Sequence, residues 1–329
     1  MKVPILLLSL LVGSTLLAQT GSLALPIPAA HQDATGLVSL KSPGVASTLL
    51  YTLDGTDPVA KSSPYLAPIS LPGGGTLKVV TASAERKTLS AVATQTYPPL
   101  PGHTAQPSTI VPVTQDRSWP QYDWAKRHAL TSAAVKRLQP TVLFIGDSIT
   151  HFFGGEKFDS YVLRGQQTWG EFYEPRKAGN LGFGWDKTEN VLWRLQHGAV
   201  DGISPKVVVM MIGTNNTGFV PASEIALGIR AIVKELNQRL PAAKILLLGI
   251  FPRGERPGPQ REKIAEVNRD IAQLDGQQNV TYLDLTQTFL TPEGLITKDI
   301  MPDFLHPNEK GYRLWAEAME PTLRRLLGE

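Results

Sequence analysis

Residues 141–150 read Thr141-Val142-Leu143-Phe144-Ile145-Gly146-Asp147-Ser148-Ile149-Thr150. A short continuous apolar run that stops at Gly-Asp-Ser predicts a strand buried on both faces, ending in a tight turn. Strands of that kind belong to a parallel sheet covered by helices. The runs 207–212, 245–251 and 280–283 have the same texture. Between them lie segments of helical period. In 222–239, Ile225, Ile229, Ile232, Val233 and Leu236 fall on one face, and 261–274 and 311–327 are similar. This alternation over 116–329 predicts an α/β unit with a doubly wound sheet and its chemistry at the carboxyl ends of the strands. Ser148 then sits at that edge, at the start of a helix. Its hydroxyl is exposed there, and its own N–H is turned towards any oxyanion formed beside it. The surrounding residues are not the Gly-x-Ser-x-Gly elbow of the α/β-hydrolases.

Upstream, the composition changes. Residues 21–115 carry nine charged side chains, whereas 116–329 carry fifty-one, a contrast that predicts two units. The first is rich in Thr, Ser, Val, Gly and Pro, with short alternating stretches at 76–82 and 89–96. Turns at Asp54-Gly55, Asp57-Pro58 and Pro72-Gly73-Gly74-Gly75 punctuate it. Short strands with such turns predict a small all-β sandwich over 26–97. Prolines 98, 99, 101, 107 and 112 make 98–115 a linker, expected to be an extended, semi-rigid spacer. Lys2, the Leu-rich run 5–12 and the small residues up to Ala18 predict a secretory signal peptide over 1–19. The alternative is an uncleaved anchor. No later segment is long and apolar enough to span a bilayer.

The whole chain has 329 residues, 42% of them hydrophobic and 19% charged, which excludes a disordered or collagen-like protein. A net charge of +3 is too small for a nucleic-acid footprint. There is no cysteine, so disulfides, thiolate metal sites and sulfur nucleophiles are excluded. Any nucleophile must be another residue type. A leader on a chain without disulfides suggests a secreted or periplasmic bacterial protein.

Three further motifs carry candidate chemistry. In Asp303-Phe304-Leu305-His306-Pro307-Asn308, a spacing of three puts Asp303 and His306 on one side of a turn. The carboxylate can then accept the Nδ1–H of the imidazole and leave Nε2 as a base. Pro307 disfavours a helix through His306, so this is a loop before the last helix. Asn180-Leu181-Gly182-Phe183-Gly184-Trp185-Asp186 is a glycine-bearing turn whose backbone can approach a reacting centre and offer an N–H. Gly213-Thr214-Asn215-Asn216 follows the second buried run, and there Asn215 offers an uncharged amide donor. Each motif alone has an ordinary structural explanation. Together they supply a nucleophile, a base, its orienter and oxyanion donors.

In chain order these blocks resemble the SGNH (GDSL-type) hydrolase family, over about residues 120–327. Phe144-Ile145-Gly146-Asp147-Ser148, Asn190-Val191-Leu192-Trp193-Arg194-Leu195, Ile212-Gly213-Thr214-Asn215-Asn216 and Phe251-Pro252-Arg253-Gly254-Glu255-Arg256-Pro257 are similar to one branch, as is Asp303-Phe304-Leu305-His306. That branch is the catalytic subunits of platelet-activating factor acetylhydrolase. The resemblance implies a flavodoxin-like three-layer α/β/α fold with about five parallel strands. It also implies esterase chemistry on small acyl groups without metal or organic cofactor. Ser148 would be the nucleophile, His306 the base and then acid, and Asp303 its orienter. The oxyanion donors would be the Ser148 backbone, the glycine-turn backbone and the Asn215 side chain. Relatives carry Gly directly before the aspartate of the second block, where this chain has Trp185. Either Gly184 or Trp185 therefore supplies the turn's N–H, and the indole either walls the acyl pocket or simply packs. Residues 26–97 resemble the small β-sandwich appended to chitobiases and β-hexosaminidases. His151 is placed at the site entrance or as a solvated helix residue.

These expectations converge on a secreted serine esterase. It would remove short acyl groups, acetyl above all, from O-acetylated carbohydrate, without nucleic-acid partner or stable membrane insertion after leader cleavage. The alternatives are a lysophospholipase- or thioesterase-like hydrolase, and a non-catalytic carbohydrate-binding protein.

Overall fold

The structure is a computed structural model and describes residues 25–41, 47–115 and 122–329. The expected signal peptide, and the first residues of the expected α/β unit, lie outside the described residues.

Seven strands form the N-terminal module: β1 (Ala29–Gln32), β2 (Leu37–Lys41), β3 (Ser47–Thr52), β4 (Ser63–Pro64), β5 (Ile69–Ser70), β6 (Gly75–Ser83) and β7 (Ala93–Tyr97). They make two antiparallel sheets, ordered β1-β2-β5 and β4-β3-β6-β7. Val38, Leu40 and Ile69 from the first meet Leu49, Tyr51, Leu77 and Val79 from the second in one apolar core. This is the sandwich that the alternation predicts. The stretch 89–96 is strand only in its second half, because Leu89 makes an isolated bridge to Ala82. Asp54 is satisfied inside its own turn, where Oδ1 accepts Thr56 N at 3.0 Å and Thr56 Oγ1 at 2.6 Å.

The rest of the chain alternates helix and strand: α1 (Trp124–Leu138), β8 (Val142–Gly146), α2 (Ser148–His151), α3 (Gln166–Phe172), β9 (Ala178–Gly182), α4 (Thr188–Gln196), β10 (Val207–Met211), α5 (Ala222–Arg239), β11 (Lys244–Leu248), α6 (Pro259–Ile271), β12 (Val280–Leu283) and α7 (Glu309–Leu327). The five strands are parallel, in the order β12-β11-β10-β8-β9. The order reverses at β8, whose neighbours are β9 on one side and β10 on the other. Loops leaving β8 and β10 diverge there and open a crevice at the carboxyl edge, the usual binding position in open α/β sheets.

Residues alternate strictly between the two covered faces. Leu143, Ile145, Val208, Met210, Ile245 and Leu247 pack against α4, α5 and α6. Val142, Phe144, Val207, Val209, Leu246 and Leu248 pack against α3 and α7. On the second face Phe144 lies 4.8 Å from the Tyr173 ring and 5.1 Å from that of Trp169. Truncating it to alanine would cost about 3–5 kcal/mol. The edge strand β9 escapes the sequence pattern, since Ala-Gly-Asn-Leu-Gly contains no β-branched residue. No helix of the described residues is long and apolar enough to cross a membrane.

The segment 98–115, expected to be an extended, semi-rigid spacer, docks part of its length. Thr109, Thr114 and Gln115 are buried. Proline removes periodicity and fixes φ, but it does not prevent neighbouring side chains from docking.

Candidate active site

Ser148 opens α2 directly after β8. Asp147 caps the helix, its Oδ1 accepting Ile149 N at 2.9 Å. Gly146 is required on steric grounds, because a Cβ there would come within 2.5 Å of Met211 O. Ser148 Oγ lies 2.8 Å from His306 Nε2, and His306 Nδ1 lies 2.8 Å from Asp303 Oδ2. This pattern puts the neutral imidazole's proton on Nδ1 and leaves Nε2 to accept from the hydroxyl.

The His306 turn is built locally. Asp303 Oδ1 accepts the backbone N–H of His306 at 2.7 Å and of Leu305 at 3.2 Å, so one carboxylate fixes both chain and ring. Phe304 adopts φ +57 between them, and its carbonyl accepts Gly254 N at 2.8 Å. Asn308 then caps α7 by accepting Gly311 N. Partial burial works to raise the Asp303 pKa, but hydrogen bonds from the His306 N–H and ring, with the His306 and Arg164 charges, bring it down to about 2. Burial lowers the His306 pKa against the Asp303 carboxylate, which raises it; Arg164 and Arg253 lower it further.

The second motif is a turn closed by Asp186 N to Phe183 O at 3.1 Å. Trp185 occupies its third position with φ +67, as in a type II turn, where glycine is the usual residue. The turn sits tightly on α2. A Cβ on Gly182 would fall 2.2 Å from His151 N, so only glycine fits. Gly184 gives its N–H to His151 Nδ1 at 3.3 Å. Of the two candidate donors, Gly184 is thus engaged as a structural tie. Its carbonyl accepts Gln115 Nε2 at 2.7 Å and Tyr122 Oη at 3.4 Å. Asp186 is buried and accepts Arg194 Nε at 2.8 Å, Trp124 Nε1 at 2.7 Å and Gln115 Nε2 at 2.9 Å. Burial raises its pKa to about 6 against the Arg194 charge and these donors. Trp185 is 38% exposed, so it is not part of the core.

Asn215 lies in a 3-10 turn after β10, and its Nδ2 donates to Asp186 O at 3.0 Å, tying the third motif to the second. Asn216 has a different role. It accepts Thr188 N and donates to Glu189, fastening the start of α4. Gly213 leads into this turn at φ +124, where a Cβ would meet Ile250 Cδ1 at 2.8 Å.

His151 is neither solvated nor at an entrance, being 1% exposed. Its Nε2 lies 3.2 Å from Asp159 Oδ2, and burial lowers its pKa to about 4, so it is neutral near pH 7. Asp159 also pairs with Arg127, whose Nη2 reaches Gly182 O at 2.8 Å. The sequence motifs do not reveal Arg164, 3.3 Å from Asp303 Oδ2, and they contain Arg253 without giving it a role; its Nη1 donates to Thr214 O at 3.1 Å. They also miss Gln115. A cavity of about 610 Å³ lies apart from the triad, lined among others by Arg261, Tyr282 and Gln287.

Residues 144–314 match the GDSL-like Lipase/Acylhydrolase family, and residues 38–97 match the family described as Fn3 associated. Platelet-activating factor acetylhydrolase IB subunit alpha1 of Homo sapiens is 37% identical over 207 residues, covering 63% of this chain and 85% of that protein. Subunit alpha2 of Rattus norvegicus is 38% identical over 207 residues, covering 63% and 86%. An acylhydrolase structure from Bacteroides fragilis superposes with a TM-score of 0.51 at 18% identity, over 63% of this chain and 100% of that one. At that identity the likeness is one of fold. The Gly-Asp-Ser strand end, the parallel five-stranded sheet and the extent of these matches agree: the chain belongs to the GDSL-like lipase/acylhydrolase family and is a carboxylic ester hydrolase of the SGNH fold.

Proposed function

We propose that the chain is an exported serine esterase that removes short acyl groups, acetyl above all, from O-acetylated carbohydrate. The observation that carries the catalytic part is the unbroken line Ser148 Oγ–His306 Nε2 and Nδ1–Asp303 Oδ2, 2.8 Å at both steps. In this reading His306 takes the Ser148 proton as Oγ attacks the ester carbonyl. Asp303 keeps the imidazole in the needed tautomer and stabilises the imidazolium. The tetrahedral oxyanion is met by the backbone N–H groups of Ser148 and Trp185 and by the Asn215 amide. His306 then protonates the leaving alcohol, and water repeats the sequence to release the acid.

A preference for acetyl draws support from the relatives, which are named acetylhydrolases. Carbohydrate as the carrier draws support from the sandwich and from the leader-like residues 1–19, which imply work outside the cell on a neutral substrate. Residues 26–97 and 116–329 are proposed as the accessory and catalytic units, joined through 98–115.

The test is acetate release from a panel of acetylated glycans, with a chain-length series of p-nitrophenyl esters alongside. The expected result is release by the native chain, none by Ser148→Ala, and acetate favoured over octanoate. A preference for octanoate overturns the acetylesterase reading. A Ser148→Ala variant that still gives an acyl-enzyme burst overturns the nucleophile.

A further inference from the structure

Two neighbouring residues of the proline-rich segment hold opposite partners. Thr114 holds the sandwich: its N–H donates to Tyr51 Oη at 3.2 Å, its Oγ1 to Pro64 O at 2.7 Å, and its carbonyl accepts Ser63 Oγ at 3.0 Å. Gln115, only 2% exposed, holds the catalytic turn through Gly184 O at 2.7 Å and Asp186 Oδ1 at 2.9 Å.

The Gly184 carbonyl and the Trp185 N–H belong to one peptide plane and, in a trans peptide, point to opposite sides. This peptide is also the central one of the 183–186 turn. Rotating it by half a turn interconverts types I and II, and type I places its third residue at negative φ. A tryptophan intrinsically prefers negative φ, yet Trp185 is held at +67. The local sequence therefore favours the rotated peptide, in which the N–H faces the other way. The grip on the Gly184 carbonyl opposes that preference. Accepting a hydrogen bond at the carbonyl also polarises the plane and strengthens its N–H as a donor.

We propose that Gln115 is a positioning residue that locks the Gly184–Trp185 peptide with the Trp185 N–H facing the oxyanion, and that Thr114 anchors this lock to the N-terminal sandwich. The proposal rests on the serine-esterase reading above. Gln115 lies upstream of the 144–314 stretch that matches the hydrolase family. The sandwich then acts on the rate of the chemical step as well as on whatever it binds.

The experiment uses the full chain and measures Ser148 labelling by a fluorophosphonate, with kcat and KM on p-nitrophenyl acetate and a thermal melt of each variant. Gln115→Met should slow labelling and kcat by on the order of 10- to 100-fold, with KM changed less than about twofold. In a Trp185→Gly background, where glycine removes the bias towards the rotated peptide, the same Gln115 change should cost at least about fivefold less. A loss of equal size in both backgrounds overturns the proposal, as does wild-type labelling in Gln115→Met. If Gln115→Met does not fold, Gln115→Asn carries the same expectation, since its amide is drawn back by one methylene. A native chain whose Ser148 stays unlabelled overturns the serine-esterase reading itself, and the proposal with it.

Discussion

Arg164 reaches the oxygen of Asp303 that already holds the His306 ring: Arg164 Nη1 and His306 Nδ1 lie 3.3 Å and 2.8 Å from the same Oδ2. The guanidinium competes for the carboxylate's charge, and with Arg253 it lowers the His306 pKa beyond what burial does. His306 must be neutral to act as base, so kcat/KM should rise with pH along a limb below the ordinary imidazole range and be flat by neutral pH. Asp303, at about 2, stays ionised throughout that range. Arg164→Gln removes one of the charges lowering the imidazole and should move the limb to higher pH. A pH profile of kcat/KM on p-nitrophenyl acetate checks both, and a limb that moves to lower pH contradicts the assigned geometry.

Trp185 makes a stability prediction that runs against its size. Holding an L-residue at positive φ costs about 1–2 kcal/mol, while glycine loses about 0.5–1 kcal/mol of chain entropy. Trp185→Gly should therefore melt close to wild type, although a large aromatic group is removed. Trp185→Val, β-branched at the same φ of +67, should lose more than about 2 kcal/mol. Thermal melts of the two variants decide the matter. A glycine variant less stable than the valine variant would show that the backbone conformation is not the controlling term.

The line Ser148–His306–Asp303, proposed as catalytic, is legible in the sequence because its parts are local. Ser148 ends a buried run, Asp303 and His306 are three apart, and Asn215 follows the next buried run. The supports were not legible. Gln115 reaches Gly184 across 69 residues, and Arg164 reaches Asp303 across 139. Neither lies in a motif, because what selects them is a partner brought close only by folding. His151 was misread for the opposite reason. Proximity to Ser148 suggests an entrance, but its ring is buried between Asp159 and Gly184. Gly184 and Trp185 are inseparable in sequence, and what distinguishes Gly184 is the tie from its N–H to His151 Nδ1.

The two asparagines of the Gly-Thr-Asn-Asn motif should separate cleanly. Asn215→Ala removes a proposed oxyanion donor and should lower kcat by on the order of 10²–10³. Asn216→Ala breaks the bonds to Thr188 and Glu189 and should lose about 1–3 kcal/mol of stability, while kcat stays within about threefold. Steady-state kinetics with paired thermal melts distinguish them. If Asn216→Ala loses catalysis and Asn215→Ala loses only stability, the assignments are reversed.

Asp147 predicts a stabilising substitution beside Ser148. Its carboxyl is 1% exposed, and burial with the Asp186 charge raises its pKa to about 7, despite the Ile149 N–H and Arg253 that favour ionisation. Oδ1 caps α2, but Oδ2 makes no hydrogen bond among the described residues. An unfolded aspartate titrates near its ordinary value, so between about pH 4 and 7 the folded chain binds more protons than the unfolded one. Stability must then fall as pH rises through that window. Asp147→Asn keeps the capping oxygen and removes the charge, so this slope should flatten. The variant's margin over wild type should grow between pH 5 and pH 8 by on the order of 2 kcal/mol, or several degrees in Tm. Melts at the two pH values test this. A variant that melts lower than wild type at pH 8 would mean that Arg253 and the Ile149 N–H favour the ionised Asp147 carboxylate more than burial and the Asp186 charge penalise it, so that its charge contributes stability at the start of the Ser148 helix.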